Sequence, residues 1–417
     1  YKPHVRIRDL TGNNAYELFE NELERCKDNI NIKTVLRNNL PSKFLYPVAY
    51  NDKYEITRFF SISFIDCKTL CYIENFTEYL AEEPNQADGY VYAVIINNDF
   101  ELEECLNAIK KIGNKRVVFA VPKKPYDISN CVAKFTAIQN ILKRDEKENK
   151  LTDSTKDELN FILDDLREVI DNYIDTNFLS PEHNKTDYYY QGQKQNITRR
   201  TGLLMLLSRI CEEVFCRTPK IINENINRRQ LSSQMKKTRK NILVNLLKAQ
   251  ISENFGLTGS QDINVVRSVF LVPGIINDLK SPKININENI LDDNFKYMFS
   301  IITNYIEEST EKDNSFSKLY NLLRDPENGI GLREGVIPLY FAAGLYPYKS
   351  YAVLKRRYRE LQLTADLLEE INDRPEDFTL RIENWSSEKT DYIAIIEKSI
   401  NRFVNSEERE FSSFNYI

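Results

Sequence analysis

The stretch YVYAVIINNDFELEECLNAIKKIGNKRVVFAV (residues 90–121) decides the fold of the first part of the chain. Its two ends, 90–96 and 116–121, are runs of apolar and β-branched residues, whereas the apolar residues of 101–112 recur at helical spacing. Strand, helix and strand in this order predict a β-α-β unit. Extended runs at 5–7 and 56–64 and a helical pattern at 127–142 complete a small α/β domain, which we place at residues 1–145.

The rest of the sequence is predominantly helical. Helical periodicity predicts an all-α domain at 146–312, and the charged stretch 143–150 is taken as the linker before it. The residues Tyr188 to Tyr190 and the polar run after them are predicted to be extended, as a hairpin or an arm. The predicted fold class is therefore α+β, predominantly α-helical.

The segment 313–385 has its own order of elements. It reads helix (316–323), glycine-rich turn, helix (336–345), extended or turned stretch (351–361), helix (364–372) and strand (378–382). Three short helices with late strands predict a winged-helix-like module, and Thr364 is the expected N-cap of its last helix. A C-terminal helix is predicted within 386–417.

Composition excludes several classes of protein. With 41% hydrophobic and 29% charged residues the chain is of the globular type. The sequence contains no run of about 18 apolar residues, so we expect no membrane span. Seven cysteines without a dense framework favour reduced thiols in an intracellular protein. Because the sequence starts at Tyr1 and not at Met, we expect a segment of a longer chain.

Motifs for catalysis were sought and not found. No phosphate-binding loop of the Gly-x-x-x-x-Gly-Lys-Ser/Thr type occurs, and His4 and His183 are the only histidines, too few for common zinc sites or catalytic triads. We therefore predict no catalytic residue, no cofactor and no metal ion. The alternative is a nuclease or nucleotide-binding enzyme that uses Asn97 to Asp99 and Lys123 to Lys124 at the ends of the predicted strands.

The strongest local charge lies at 217–240, where Glu224 is the single acidic residue among many basic ones. If 227–254 is one helix, Leu231, Met235, Ile242 and Leu246 form an apolar stripe, and Arg229, Lys236 and Lys240 lie opposite it. Since the net charge is −5, DNA binding needs such a local patch. The candidate DNA-binding residues here are Arg228, Arg229, Lys236, Lys237 and Lys240.

A second basic group, Lys355, Arg356, Arg357 and Arg359, lies where a winged-helix module would carry its wing. From it, Arg356 and Arg357 join the candidate DNA-binding residues. Two other interpretations of the basic residues stay open. They are an ordinary solvated surface, or a protein scaffold in which the basic helix docks on the acidic helix at 151–180.

Several blocks of sequence resemble a known family. They are TPKIINENINR (218–228), GLREGVIPL (331–339), LT (363–364) and PEDFTLR (375–381). Together they resemble the C-terminal part of the large P-loop ATPases of bacterial phage-defence islands, the BrxC/PglY family of the BREX system. The resemblance covers roughly residues 217–385, and its blocks consist of apolar and turn residues without a catalytic signature.

The resemblance implies a cytoplasmic bacterial protein whose ATPase domain lies outside this sequence. It also implies DNA as the ultimate target and other defence-system proteins as partners. We therefore expect a non-catalytic region that binds DNA, without sequence preference, or partner proteins. The enzyme and the pure scaffold are the alternatives.

Overall fold

The β-α-β unit predicted from residues 90–121 lies at the centre of a six-stranded sheet in a computed structural model of the chain. The structure describes residues 13–27, 30–83, 86–148, 151–286, 290 and 292–383. The strand predicted at 5–7 and the helix predicted within 386–417 lie outside these ranges. The chain divides into two compact units, Tyr1–Val48 with Arg58–Ile210, and Ala49–Thr57 with Cys211–Ile417.

The first unit contains the large sheet and the helices around it. In chain order its elements are α1 (Asn13–Lys27), α2 (Ile32–Asn38), β1 (Phe44–Leu45), β2 (Phe60–Asp66), α4 (Cys67–Tyr72), α5 (Phe76–Ala81), β3 (Gly89–Ile95), α6 (Asp99–Ile109), β4 (Val117–Pro122), α7 (Ser129–Glu148), α8 (Asp153–Ile174), β5 (Thr186–Tyr190), β6 (Gln193–Gln195) and most of α9 (Arg200–Val214). Helix α3 (Val48–Tyr54) belongs, except for its first residue, to the second unit.

The sheet has a parallel centre and antiparallel flanks. Strands β2, β3 and β4 run parallel, with Phe60 opposite Gly89 and Tyr90 opposite Val117, whereas β1, β5 and β6 pair antiparallel. Every residue of β3 and β4 is buried. Continuous burial is expected of parallel strands that are covered on both faces. One face packs against side chains of α4, α5 and α6, as the helical spacing of 101–112 predicts.

The α/β unit extends past the predicted boundary at residue 145. The charged stretch 143–150, taken as a linker, is largely the end of α7, and Asp145 is buried there. Its carboxylate accepts a hydrogen bond from Leu151 N (2.7 Å) and pairs with Lys156 (2.8 Å). The predicted extended run at Tyr188 forms a hairpin, confirmed as β5 and β6, and β5 joins the sheet beside β4.

The second unit is mainly helical. Besides α3 and the end of α9 it contains α10 (Ser233–Leu247), α11 (Ser260–Val266), α12 (Asp293–Glu308), β7 (Asn314–Ser315), α13 (Phe316–Arg324), α14 (Ile337–Leu345), β8 (Ala352–Arg356), β9 (Arg359–Leu361), α15 (Ala365–Asp373) and β10 (Phe378–Ile382). The chain is thus mixed α+β and predominantly helical, which confirms the predicted fold class.

The order of elements predicted for 313–385 is present. The stretch 351–361 forms the β8–β9 hairpin, and a small antiparallel sheet has the order β7-β10-β8-β9. Thr364 caps α15, because its hydroxyl accepts a hydrogen bond from Leu367 N (3.1 Å). The buried side chains of this segment belong to one hydrophobic cluster with those of α10, α11 and α12. The boundary predicted at 312 therefore does not separate two cores.

No helix within the described ranges is long and apolar enough to cross a membrane.

A substitution at Gly89 can test the close packing of the parallel strands. A Cβ atom at this position would lie 2.2 Å from Cε1 of the buried Phe60 ring on β2. We expect Gly89→Ala to lower the free energy of unfolding of the first unit by about 1–3 kcal/mol, because the ring must move within a filled core. Urea denaturation and hydrogen exchange of the β2–β4 amides measure the effect.

Gly113→Ala is the matched control, because a Cβ atom there meets no atom within 4 Å. Its effect should be within about 0.5 kcal/mol, or a small gain. Equal effects of the two substitutions would contradict the packing described for Gly89.

Candidate nucleic-acid interface

Helix α10 is shorter than the helix predicted at 227–254. It begins at Ser233, where the hydroxyl of the N-cap Ser232 accepts a hydrogen bond from Met235 N (3.3 Å). Upstream, Gly335 N donates to the carbonyl oxygen of Arg228 (2.9 Å), so this segment bonds to another loop. Arg228 and Arg229 therefore lie outside the helix, and the prediction that Arg229 shares a helical face with Lys236 and Lys240 is wrong.

The apolar side of the helix is as predicted. Met235, Ile242 and Leu246 of α10 are buried in the core of the second unit, and Leu231 is buried with them although it precedes the helix. Arg239 is buried with them, which the count of basic residues missed. Its position, four residues after Met235 and three before Ile242, places it on the apolar stripe. The helical spacing of Arg239 from Met235 and Ile242 could therefore have indicated its burial from the sequence.

The polar side of α10 retains only part of the predicted positive charge. Lys240 forms an ion pair with Asp366 of α15, and Arg228 pairs with Glu224 (2.6 Å). Arg229 is half-buried and has interactions of its own. Lys236 and Lys237 are exposed and form no ion pair within the part of the chain that the structure describes. The basic run of the sequence thus leaves two lysines available to a ligand.

The β8–β9 hairpin carries the second predicted group. At its base, Leu354 is fully buried and Lys355 lies 3.2 Å from Asp313. Arg356 pairs with Glu370 of α15 (2.8 Å) and with Asp377 (3.1 Å), and its guanidinium lies over the Phe378 ring. The charge of Arg356, a predicted DNA contact, is therefore neutralised by these carboxylates. The contacts of Arg356 fix the hairpin to α15 and to the start of β10.

The tip of the hairpin is a two-residue turn, Arg357–Tyr358, closed by the pair Arg356–Arg359. Arg357 has φ +57°, in the left-handed region that Gly, Asn and Asp normally occupy in such turns. Arg357 and Arg359 are exposed, and neither forms an ion pair among the described residues. Tyr358 is fully exposed, at 100% of its surface.

The tip is unfavourable for stability in three ways. A non-glycine residue has the left-handed conformation, a large aromatic ring has no packing partner, and two arginines face each other across the strands. Like charges directly opposite each other in an antiparallel pair are destabilising. Backbone strain that persists in a fixed element is a reason to look for function there.

The polar groups at the carboxyl ends of the parallel strands contact neighbouring residues. Asp66 caps α4, and Lys33 lies 2.8 Å from its carboxylate. Burial opposes ionisation of Asp66, but the bonds from Lys33 and Thr69 outweigh it and lower the pKa of this carboxyl. Asn98 caps α6. Lys123 is bound by Asn184 (2.5 Å) and Asp187 (3.5 Å). These groups therefore hold local structure.

No group of three or more His, Cys, Asp or Glu in the described ranges is arranged to hold a metal ion. Cys67, at the start of α4, is the thiol nearest to the strand ends. Burial, with smaller contributions from Cys71 and Glu101, raises the pKa of Cys67 to about 11, although the hydrogen bond with Cys105 lowers it. A thiol with such a pKa is protonated at neutral pH and is a poor nucleophile.

The acidic helix of the scaffold interpretation is α8. Its Asp164 pairs with Arg167 of the same helix (3.1 Å), whereas the ion pairs of α10 go to Asp366 and Glu369 of α15. The basic helix therefore finds its acidic partners within the second unit.

Two of the blocks that carry the sequence resemblance lie against each other. The Arg228 carbonyl accepts the Gly335 N–H, and the Thr218 hydroxyl donates to the carbonyl of Ile330. A Cβ atom at Gly335 would lie 2.0 Å from the carbonyl oxygen of Ile226, so this approach requires glycine. The blocks form a packing unit of the second core.

Comparisons of the chain with protein-family models, with curated proteins and with solved structures gave no match.

The strain at Arg357 can be measured. A left-handed conformation costs a residue with a Cβ atom about 1–2 kcal/mol, while glycine loses about 0.5–1 kcal/mol more backbone entropy on folding than alanine. We therefore expect Arg357→Gly to be more stable than Arg357→Ala by about 0.5–1 kcal/mol. Urea denaturation of the two variants tests this, since both lack the guanidinium. An alanine variant as stable as the glycine variant would show that the turn is unstrained.

Proposed function

We propose that this chain is a non-catalytic DNA-binding region of a cytoplasmic bacterial phage-defence ATPase of the BREX type, and that it contacts DNA through the tip of the β8–β9 hairpin. The defence part of the proposal rests on the sequence resemblance of residues 217–385. The DNA part rests on one observation, namely that Arg357 and Arg359 are exposed and unpaired, among the described residues, on a hairpin whose strand is fixed next to the tip by the ion pairs of Arg356.

The charge arrangement suits phosphate contacts. An arginine that pairs with a phosphate releases condensed counterions, which supplies affinity without regard to base sequence. Arg356 is already neutralised by Glu370 and Asp377, so it adds little to such binding. Arg357 and Arg359 pair with no carboxylate of the described residues that they would have to give up on meeting a phosphate. The free energy gained on binding is therefore not reduced by breaking an ion pair among the described residues.

Fixing the base of the hairpin lowers the cost of binding. The buried Leu354, the two ion pairs of Arg356 and the pairing of β8 with β10 leave little freedom to the strands. A pre-organised element loses less conformational entropy when it binds. Lys236 and Lys237 of α10 are the second group that could contact phosphates.

The proposal predicts the salt dependence of DNA binding. Fluorescence anisotropy with labelled duplexes of unrelated sequence, at several salt concentrations, gives the slope of log affinity against log salt. In Arg357→Ala/Arg359→Ala this slope should become shallower by about 1.8, since each lost phosphate contact removes about 0.9. Affinity should fall on all duplexes alike.

Two further variants complete the experiment. Lys110→Ala/Lys111→Ala removes two exposed charges from the first unit and should leave the slope unchanged. Lys236→Ala/Lys237→Ala shows whether α10 adds contacts. If the hairpin variant is folded and retains the slope of the unmodified chain, the hairpin is not a DNA contact.

A further inference from the structure

Tyr358 is the side chain that phosphate binding does not explain. Its ring is wholly exposed, although most of the large aromatic residues that the structure describes in this unit are buried. It shares the two-residue tip with Arg357, and Arg359 follows it. An arginine therefore lies on either side of the ring in the chain. A hydrophobic ring held in water contributes nothing to the fold, so its role is sought in a ligand.

The backbone holds the ring at the end of the hairpin. In a two-residue turn each tip residue projects from the strands, because the register fixes Arg356 opposite Arg359. Next to the tip, Arg356 holds the hairpin in place through its ion pairs with Glu370 and Asp377. Tyrosine has few rotatable bonds, so a ring on such a turn offers contact area at a low entropic cost.

An aromatic ring flanked by arginines matches the chemistry of an unpaired nucleotide. A base presents a flat face on which tyrosine can stack, and its phosphates meet the guanidinium groups. Inside a duplex both faces of each base are covered by its neighbours, so a ring at a hairpin tip cannot stack on them. A single strand leaves these faces open to aromatic side chains.

We propose that Tyr358 stacks on an unpaired base, so that the hairpin binds single-stranded DNA more tightly than the duplex, which only its arginines contact. This inference rests on the proposed function, because Arg357 and Arg359 hold the neighbouring phosphates. It adds the substrate class, which the arginines alone do not select. Stacking depends on the face of a base and not on its edge, so sequence preference stays weak.

The experiment compares a labelled single strand with the duplex of the same sequence, at one salt concentration, using the full 417-residue chain. Stacking of one base contributes a factor of about 5 to 150 in affinity. Tyr358→Ala should lose binding to the single strand within this range and retain binding to the duplex. Tyr358→Phe, which keeps the aromatic face, should bind as the unmodified chain does.

Two controls report on the ring itself. Tyr72→Ala removes another exposed tyrosine, 78% exposed at the end of α4, and should leave both affinities unchanged. Tyr358→Trp places an indole at the tip of a chain that has only one other tryptophan. Its fluorescence should be quenched by the single strand and not by the duplex if the ring stacks on a base.

The outcomes separate the two proposals. If Tyr358→Ala weakens both forms of DNA equally, the ring acts on duplexes and the single-strand inference is overturned. If Tyr358→Ala changes neither affinity while Arg357→Ala/Arg359→Ala weakens both, only phosphate contacts remain and the stacking role is overturned. If the arginine variant also binds as the unmodified chain does, the proposed function itself falls.

Discussion

The second unit depends on the buried guanidinium of Arg239. This side chain is 3% exposed, and it joins α10 to two distant segments. It forms a two-pronged pair with Glu369 of α15 and donates to the carbonyl oxygens of Glu334 (3.0 Å) and Gly335 (3.3 Å). A buried charge is tolerated only when its hydrogen-bonding groups are satisfied in this way.

The interactions of Arg239 also position the hairpin. Arg239 holds α15 through Glu369, and the next residue of α15, Glu370, holds Arg356 next to the tip of the hairpin. The same guanidinium fixes the Gly335 loop, which bonds to the segment before α10. A chain of ion pairs thus runs from the core of the unit to the exposed tip. Loss of Arg239 would leave Glu369 partly buried without its cation and free the helix that positions the hairpin.

Local pattern predicted much of the fold. The apolar runs around residues 90–121, the Thr364 cap and the extended stretch at 351–361 each depend on neighbours in sequence, so single-sequence reasoning identified them. The charged run at 143–150 looks like a linker in the sequence, although most of it is the end of the amphipathic helix α7. Nothing local shows that Asp145 is buried against Leu151 and Lys156.

The candidate site was predicted less completely, for a physical reason. A count of basic residues includes those whose charge is neutralised by carboxylates in the folded chain. A ligand is attracted only by the basic groups that stay unpaired. Glu369 and Asp366 lie more than a hundred residues from Arg239 and Lys240. Glu370 lies on α15, 14 residues after Arg356, so these pairings appear only in three dimensions. Of the seven predicted contacts, Lys236, Lys237 and Arg357 keep an exposed charge that is unpaired among the described residues. The charge pattern gives no indication that the ring of Tyr358 is exposed.

The two-residue turn between β8 and β9 also limits how this surface can vary. Side chains alternate between the faces of a strand, so the register that places Arg359 opposite Arg356 also decides to which side Arg359 points. Substitution of one tip residue by another changes the chemical groups at the tip but not the direction in which its side chain points. One residue added to the tip would have to form a three-residue loop with a bulge if Arg359 is to stay opposite Arg356, which is tied to α15. In this hairpin, length is constrained more tightly than composition.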